Sequence, residues 1–257
     1  MSWASRRQSQ YIFGILAIVA VVIFIMIYPS ISKAPSCTDG KQNGGELGVD
    51  CGGSCSRLCA SQVSEPIILW SRGFNIVGSN YNLVALVQNQ NKGAAVAKAS
   101  YEFRVYDTQN RLIGRRDGVT FIPPNGEFAV FEPRFDAGAQ EIKSVTFEFT
   151  DENLAWVKKA PTIQTLPIRI GTVILENDTQ TLTAQVMNDS IYDLPSFDVV
   201  AILYDANHTA LTVSKTHSDG LRANLHEGVQ FSWPKAFSAT VATQDLLLQV
   251  DPFSTSF

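Results

Sequence analysis

An all-β chain is the fold class the sequence predicts: two tandem immunoglobulin-like β-sandwiches behind one N-terminal transmembrane helix and a small disulfide-rich segment. Three observations predict it. Residues 11–28 are uniformly apolar, all four cysteines fall within 37–59, and a two-residue alternation of apolar and polar side chains begins past Ser64 and recurs about 100 residues later. Composition sets the frame. Of 257 residues, 45% are hydrophobic and 17% charged. That balance excludes a disordered chain, which needs few apolar residues and many charges. The net charge of −4 argues against nucleic acid as a partner, since such proteins replace counterions with a basic face.

The first element is the segment from Tyr11 to Tyr28, YIFGILAIVAVVIFIMIY, 18 residues without a charge. As a helix it spans about 27 Å, close to the ~30 Å of a bilayer's hydrocarbon core. The terminal tyrosines sit where interfacial aromatics are favoured, and Pro29 is expected to stop the helix. Residues 1–10 then form a short cytoplasmic tail and 11–29 a signal-anchor. A cleaved signal peptide is the rival, with Ser30-Ile31-Ser32 offering small residues for cleavage, although its apolar core is usually shorter. Three of the 20 basic residues, and none of the 24 acids, lie in the first 33 positions, so the remainder carries a net charge of −7. The basic tail and the cysteines together predict that everything after the helix is extracytoplasmic.

The second element, residues 34–62, contains Cys37, Cys51, Cys55 and Cys59. An even number of close cysteines in an exported stretch with little apolar content predicts two disulfides, with three connectivities open. A zinc site of four thiolates is the alternative, but its cysteines would come as two close pairs. Asp39, Asn43, Glu46 and Asp50 alternate with glycines in this stretch. Hard oxygen ligands on a pliant backbone are what Ca²⁺ requires, so these four are the candidate calcium ligands, against the plain reading of a polar turn-rich loop.

The third and fourth elements are the sandwiches, 64–152 and 165–257. Leu83–Val87, then Tyr101, Phe103 and Val105 alternating with Glu102 and Arg104, then Val145, Phe147 and Phe149, read as half-buried strands joined by turns. The series repeats: Leu83–Asn89 with Leu182–Asn188, Tyr106-Asp107 with Tyr204-Asp205, Glu127–Pro133 with Gly228–Pro234, and Val145–Phe149 with Leu246–Val250. The offset is 98 to 101 residues, the size of one sandwich domain. The join near 152–167 carries two prolines and breaks the alternation.

Catalytic signatures are absent. The sequence has no Gly-x-Ser-x-Gly elbow, no phosphate-binding Gly-rich loop and no His-Glu-x-x-His. The three histidines, His208, His217 and His226, are spaced by nine, but a strand over 210–216 would hold the first two up to ~30 Å apart, so exposed loop histidines are expected rather than a shared metal. The sequons at Asn177, Asn188 and Asn207 are read as coincidental.

Two resemblances follow from these residues. Cys37, Asp39, Gly40, Asn43, Gly44, Asp50, Cys51, Gly52, Gly53 and Cys55, with Glu46 at the acidic position, resemble the motif C-x-D-G-x-x-N-G-x-E-x-x-x-D-C-G-G-x-C of many secreted and surface-anchored bacterial proteins. Phe103-Arg-Val-Tyr-Asp107 and Ala201-Ile-Leu-Tyr-Asp205 resemble the signature of the FxLYD domain, a bacterial extracytoplasmic β-sandwich module. The first copy has Val105 for Leu, and the second lacks the Phe. That resemblance implies Phe103, Tyr106, Asp107, Leu203, Tyr204 and Asp205 as structural signature positions and implies no catalytic residue. The expected function is a non-enzymatic, membrane-tethered interaction module with an envelope protein as partner. The alternatives are a calcium- or ligand-responsive sensor and, more remotely, an envelope hydrolase.

Overall fold

The computed structural model describes residues 3–31, 34–159 and 166–254. Its contacts divide the chain into two units, one up to Cys55 and the other from Ser56 onward. Residues 160–165, part of the join expected near 152–167, and residues 255–257 lie outside the described residues.

The first unit opens with helix α1, Trp3–Ile31. Its stretch Gln8–Tyr28 carries no charge and is long and apolar enough to cross a membrane, and its side chains are exposed. The helix starts well before Tyr11, taking in the expected tail. It also continues two residues past Pro29 rather than stopping there. Proline's fixed φ is itself helical, so a last turn tolerates it at the loss of one N–H bond. The remainder of the unit is a turn-rich loop. Cys37 is bonded to Cys55, and Cys51 and Cys59 are also disulfide-bonded, so no cysteine is free. Gly53 shows why the motif needs glycine. Its φ is +56°, and a Cβ there would lie 1.8 Å from the Gly45 carbonyl oxygen.

Among the described residues, the second unit contains thirteen strands in chain order: β1 Ile67–Val77, β2 Asn80–Asn89, β3 Ala94–Asp107, β4 Leu112–Ile122, β5 Gly126–Asp136, β6 Ile142–Phe149, β7 Trp156–Lys158, β8 Ile168–Glu176, β9 Thr181–Asn188, β10 Phe197–Tyr204, β11 Ala210–Ser218, β12 Leu225–Ser232 and β13 Thr243–Val250. The first sandwich has sheets β1-β2-β5 and β4-β3-β6, with β7 also pairing β3. The second repeats the order as β8-β9-β12 and β11-β10-β13. Trp156–Lys158 therefore extends the first sandwich past 152. Ser56–Leu58 joins it from the other side, with Leu58 N–H donating to Trp156 O and Lys158 N–H to Ser56 O.

Register refines the repeat. Val130 lies opposite Ala85 and Val229 opposite Ala184; Phe147 lies opposite Phe103 and Leu246 opposite Ala201. With β2 matched to β9 at 99 residues and β3 to β10 at 98, the later strands match at 99 rather than 101. A two-residue slip preserves which face each side chain takes, so the apolar pattern is the same either way.

Three cores result. Leu83, Ala85, Val87, Phe103, Val105, Phe128 and Phe147 build the first sandwich's interior; Leu182, Ala184, Val186, Val199, Ala201, Leu203 and Phe231 build the second's. A third core joins the two sandwiches: Phe74, Val84, Leu86 and Ala129 from β1, β2 and β5 pack on Val200, Ile202, Tyr204, Ala210 and Val213 from β10 and β11. The run Leu83–Val87 is thus buried on both faces, as is Val199–Tyr204. The half-buried reading of Leu83–Val87 is corrected here. Strands covered on both sides read as continuous apolar runs, without alternation.

Candidate functional site

The interface between the sandwiches is the largest feature that the repeat comparison brings out. On the outward face of the first copy's β4-β3-β6 sheet stand Glu102, Arg104, Tyr106, Arg115 and Glu148. Arg104 pairs with Glu102 and with Glu148, and Arg115 with Glu102 at 3.4 Å. At the equivalent positions the second copy has Val200, Ile202, Tyr204, Val213 and Leu247, and these face the first sandwich. The other outward faces trade in the opposite sense. Val84 and Leu86 are buried at the junction, whereas their counterparts Thr183 and Gln185 are exposed. Polar contacts ring this junction. Gln249 Nε2 donates to Ala129 O at 3.0 Å, Arg72 Nη1 to Ala210 O at 3.5 Å, and Lys215 Nζ sits 5.7 Å from the Phe131 ring centre.

Signature residues take structural positions. Phe103 is fully buried in the first core, its ring centre 4.9 Å from that of Phe147, and Leu203 is fully buried in the second. Tyr106 is half-buried. Tyr204 is buried in the junction, stacked at 4.5 Å on the His208 ring. The aspartates close the next turn in both copies. Asp107 Oδ1 accepts the N–H groups of Gln109 and Arg111, and Asp205 Oδ1 those of Asn207 and Thr209. Asn110 and His208, three residues on, adopt φ of 60° and 59°, which such turns require. One earlier position also recurs. Asn89 donates to Ala94 O and Pro123 O; Asn188 donates to Tyr192 O, Leu221 O and Arg222 O. Both are fully buried, which removes Asn188 as a glycosylation acceptor.

Burial raises the Asp107 carboxyl, but the hydrogen bonds from Arg111 and Gln109 outweigh it and hold it below the usual value. Asp39 is also lowered, chiefly by the Asn43 amide, and Asp136 chiefly by Ser79. A carboxyl with a depressed folded pKa contributes stability that is present above its unfolded value and is lost as pH falls through the folded one. The melting temperature is therefore expected to hold between about pH 7 and 5 and to fall below about pH 4. Asp107→Asn should melt lower at neutral pH and lose less on acidification; an unchanged acid profile in thermal melts would count against this role.

The four candidate calcium ligands share one loop and are bonded to it, and their acidic oxygens are not gathered at metal-ligand spacing. Asp39 accepts from Lys41 N–H and Asn43 Nδ2, and both Asp50 oxygens accept from Gly40 N–H at 3.0 Å. Glu46 Oε2 accepts from the N–H groups of Asn43 and Asp50. These bonds define the loop with its carboxylates already engaged. Among the described residues, the grouping with metal-ligand spacing is Cys37, Glu46 and Cys55, and its two sulfurs are spent in the disulfide. Disulfides at all four cysteines also remove the thiolates a zinc site needs.

His208 lies in a turn as expected, but His217 and His226 lie on β11 and β12, where their side chains point out of the sandwich and stay exposed. His217 Nδ1 lies 2.7 Å from Asp198 Oδ1. One exposed pair escaped sequence reading. Ile191 and Tyr192, 77% and 47% exposed, lie on the β9–β10 connection. The Asn188 amide pins that loop through Tyr192 O, and Asn224 N–H reaches Ser190 O. The available signal was an adjacent Ile-Tyr pair three residues after Asn188, in a turn-rich Asn-Asp-Ser stretch.

No family model and no curated protein matches this chain. Among solved structures it is similar to a red sea bream transglutaminase at 12% identity and a TM-score of 0.24, over 74% of this chain and 30% of that one. This chain therefore spans under a third of that protein's length, and so low a TM-score carries no argument.

Proposed function

We propose that this protein is a membrane-anchored, extracytoplasmic, non-enzymatic interaction module of a cell envelope, with a tandem of FxLYD-type, immunoglobulin-like sandwiches as its working part. The observation that carries the reading is the Ile191–Tyr192 tip, an isoleucine and a tyrosine held out on a loop whose backbone is pinned by a buried asparagine. Exposed, pre-ordered aromatic and aliphatic side chains are what protein interfaces use as anchors, because little freedom remains to be lost on binding. The disulfides support an oxidising compartment, and the apolar helix suits a single span with its basic end in the cytoplasm.

The test is a photo-crosslinking residue at Tyr192 of the full chain in native membranes. One stoichiometric envelope protein is expected as the adduct, and Ile191→Ser should abolish it. No adduct at good yield, or the same adduct from a probe at exposed Thr183, would remove the interaction reading.

A further inference from the structure

The two sandwiches leave a cleft at one side of their junction, about 480 Å³ in volume. Its walls are β1 of the first sandwich and, from the second, β11 with the segment just after β12. The charged residues that line it are Arg72 and Lys235, and no carboxylate is among the lining residues; Asp245 and Glu127 lie outside the lining, acting with Arg72 on the Tyr204 phenol. Neither cation forms an ion pair among the described residues: Arg72 donates to the Ala210 carbonyl oxygen and Lys235 to the Asn75 side-chain oxygen. Both are exposed, so their remaining N–H groups are free to meet a ligand. Hydroxyls of Ser214 and Ser232 stand on the same walls. On that wall Trp233 holds a buried indole N–H that finds no acceptor among the described residues. In a chain with a net charge of −4, this is a concave site whose charges are cations and whose neutral polar side chains are hydroxyls and amides able to donate.

We infer that this cleft binds a phosphate group. A phosphate monoester carries about −1.5 to −2 charge at neutral pH, which two cations match, whereas a lone carboxylate would leave one uncompensated. Arginine's planar fork and a lysine ammonium are the usual partners of phosphate oxygens, with hydroxyls donating to the oxygens left over. Clefts between domains are also where ligand sites concentrate. The phosphate has two sources, a small soluble monoester or consecutive phosphodiesters of an anionic polymer. The cleft goes beyond the docking role proposed above, and the two readings fail independently: loss of the Tyr192 adduct leaves phosphate binding untouched.

The experiment is calorimetric titration of the full chain in neutral detergent at low salt, with inorganic phosphate in one arm and poly(glycerol phosphate) in the other. Tryptophan fluorescence provides a second readout. Saturable binding in at least one arm is expected. Binding of phosphate itself assigns the monoester, and binding of the polymer alone assigns the diester. Arg72→Ala with Lys235→Ala should weaken that binding by about tenfold or more, since each charge-assisted contact removed is of that order. Arg72→Lys with Lys235→Arg should keep most of it. The conservative double variant should melt like the parent, and the double alanine variant, which also gives up the Arg72–Ala210 and Lys235–Asn75 contacts, should still unfold cooperatively because both residues are exposed and outside the cores. No saturable binding in either arm, or equal affinity in the double alanine variant, would overturn the site.

Discussion

Ile202→Asp is expected to uncouple the two sandwiches while leaving each one folded. Ile202 is fully buried, yet its side chain belongs to the junction and not to the interior of its own sandwich. A carboxylate there would sit among Phe74, Val84, Leu86 and Val213 with no partner. An uncompensated charge in such a setting costs about 3–5 kcal/mol, more than the junction can absorb without opening. Water then reaches the new charge, and the second core, built from Val199, Ala201 and Leu203 on the opposite face of the same strand, remains closed. Calorimetry should show one cooperative transition in the parent and two in the variant. The sharper form is Val200→Glu, Ile202→Arg, Val213→Arg and Leu247→Glu together, which installs the charge set that the first copy already carries on its outer face. That variant should stay soluble and melt in two steps. A single, merely lowered transition would mean that the junction does not couple the domains.

The second large effect is expected at the paired asparagines. Asn188 is buried, with its amide on three carbonyls and its oxygen accepting from the Ser190 N–H and hydroxyl, the latter at 2.6 Å. Alanine would leave several of those groups buried and unpaired, each at a cost of about 1–3 kcal/mol before relaxation. A net loss of about 2–4 kcal/mol is expected. Asn89→Ala should behave alike, since its amide serves Ala94 O and Pro123 O. Aspartate is no remedy: it keeps the acceptors but turns a carboxylate toward carbonyl oxygens. Denaturant titration checks this, with a lowered midpoint and an unchanged slope. A shift below about 0.5 kcal/mol would show that the loop re-satisfies its carbonyls without the amide.

Much of the fold could be read from the chain because strands announce themselves by local alternation and the repeat doubles every signal. The Tyr-Asp turns were visible for the same reason: Asp107 and Asp205 act on their own next four residues. The junction was not legible as a junction. Val84 and Leu86 break alternation in the sequence, but a side chain's burial on the outer face depends on partners in the other sandwich, far along the chain. The Asp39–Asp50 loop was legible as a loop. Its carboxylates are of the residue types that coordinate calcium and that also cap backbone N–H groups, and composition does not separate the two uses. Cysteine pairing was equally silent, since three connectivities fit one spacing. The cleft at Arg72 and Lys235 joins residues 163 positions apart, and nothing local relates them.

The junction also has a handed, one-way character. It joins the β1-β2-β5 face of one copy to the β11-β10-β13 face of the next, and these are different faces of the shared plan. No two-fold axis relates the copies, because the two faces differ. Applied again, the same head-to-tail contact would set a third sandwich on the second, and the rotation per step decides between a closed ring and an open filament. Two substitution sets stop this growth. Glu102, Arg104, Arg115 and Glu148 cover the face that would otherwise receive a preceding copy, and Thr183 and Gln185 cover the face that would receive a following one. The pair thus has chemically distinct leading and trailing ends, each covered by polar side chains. Restoring apolar residues at both ends would be expected to turn a discrete molecule into a larger assembly.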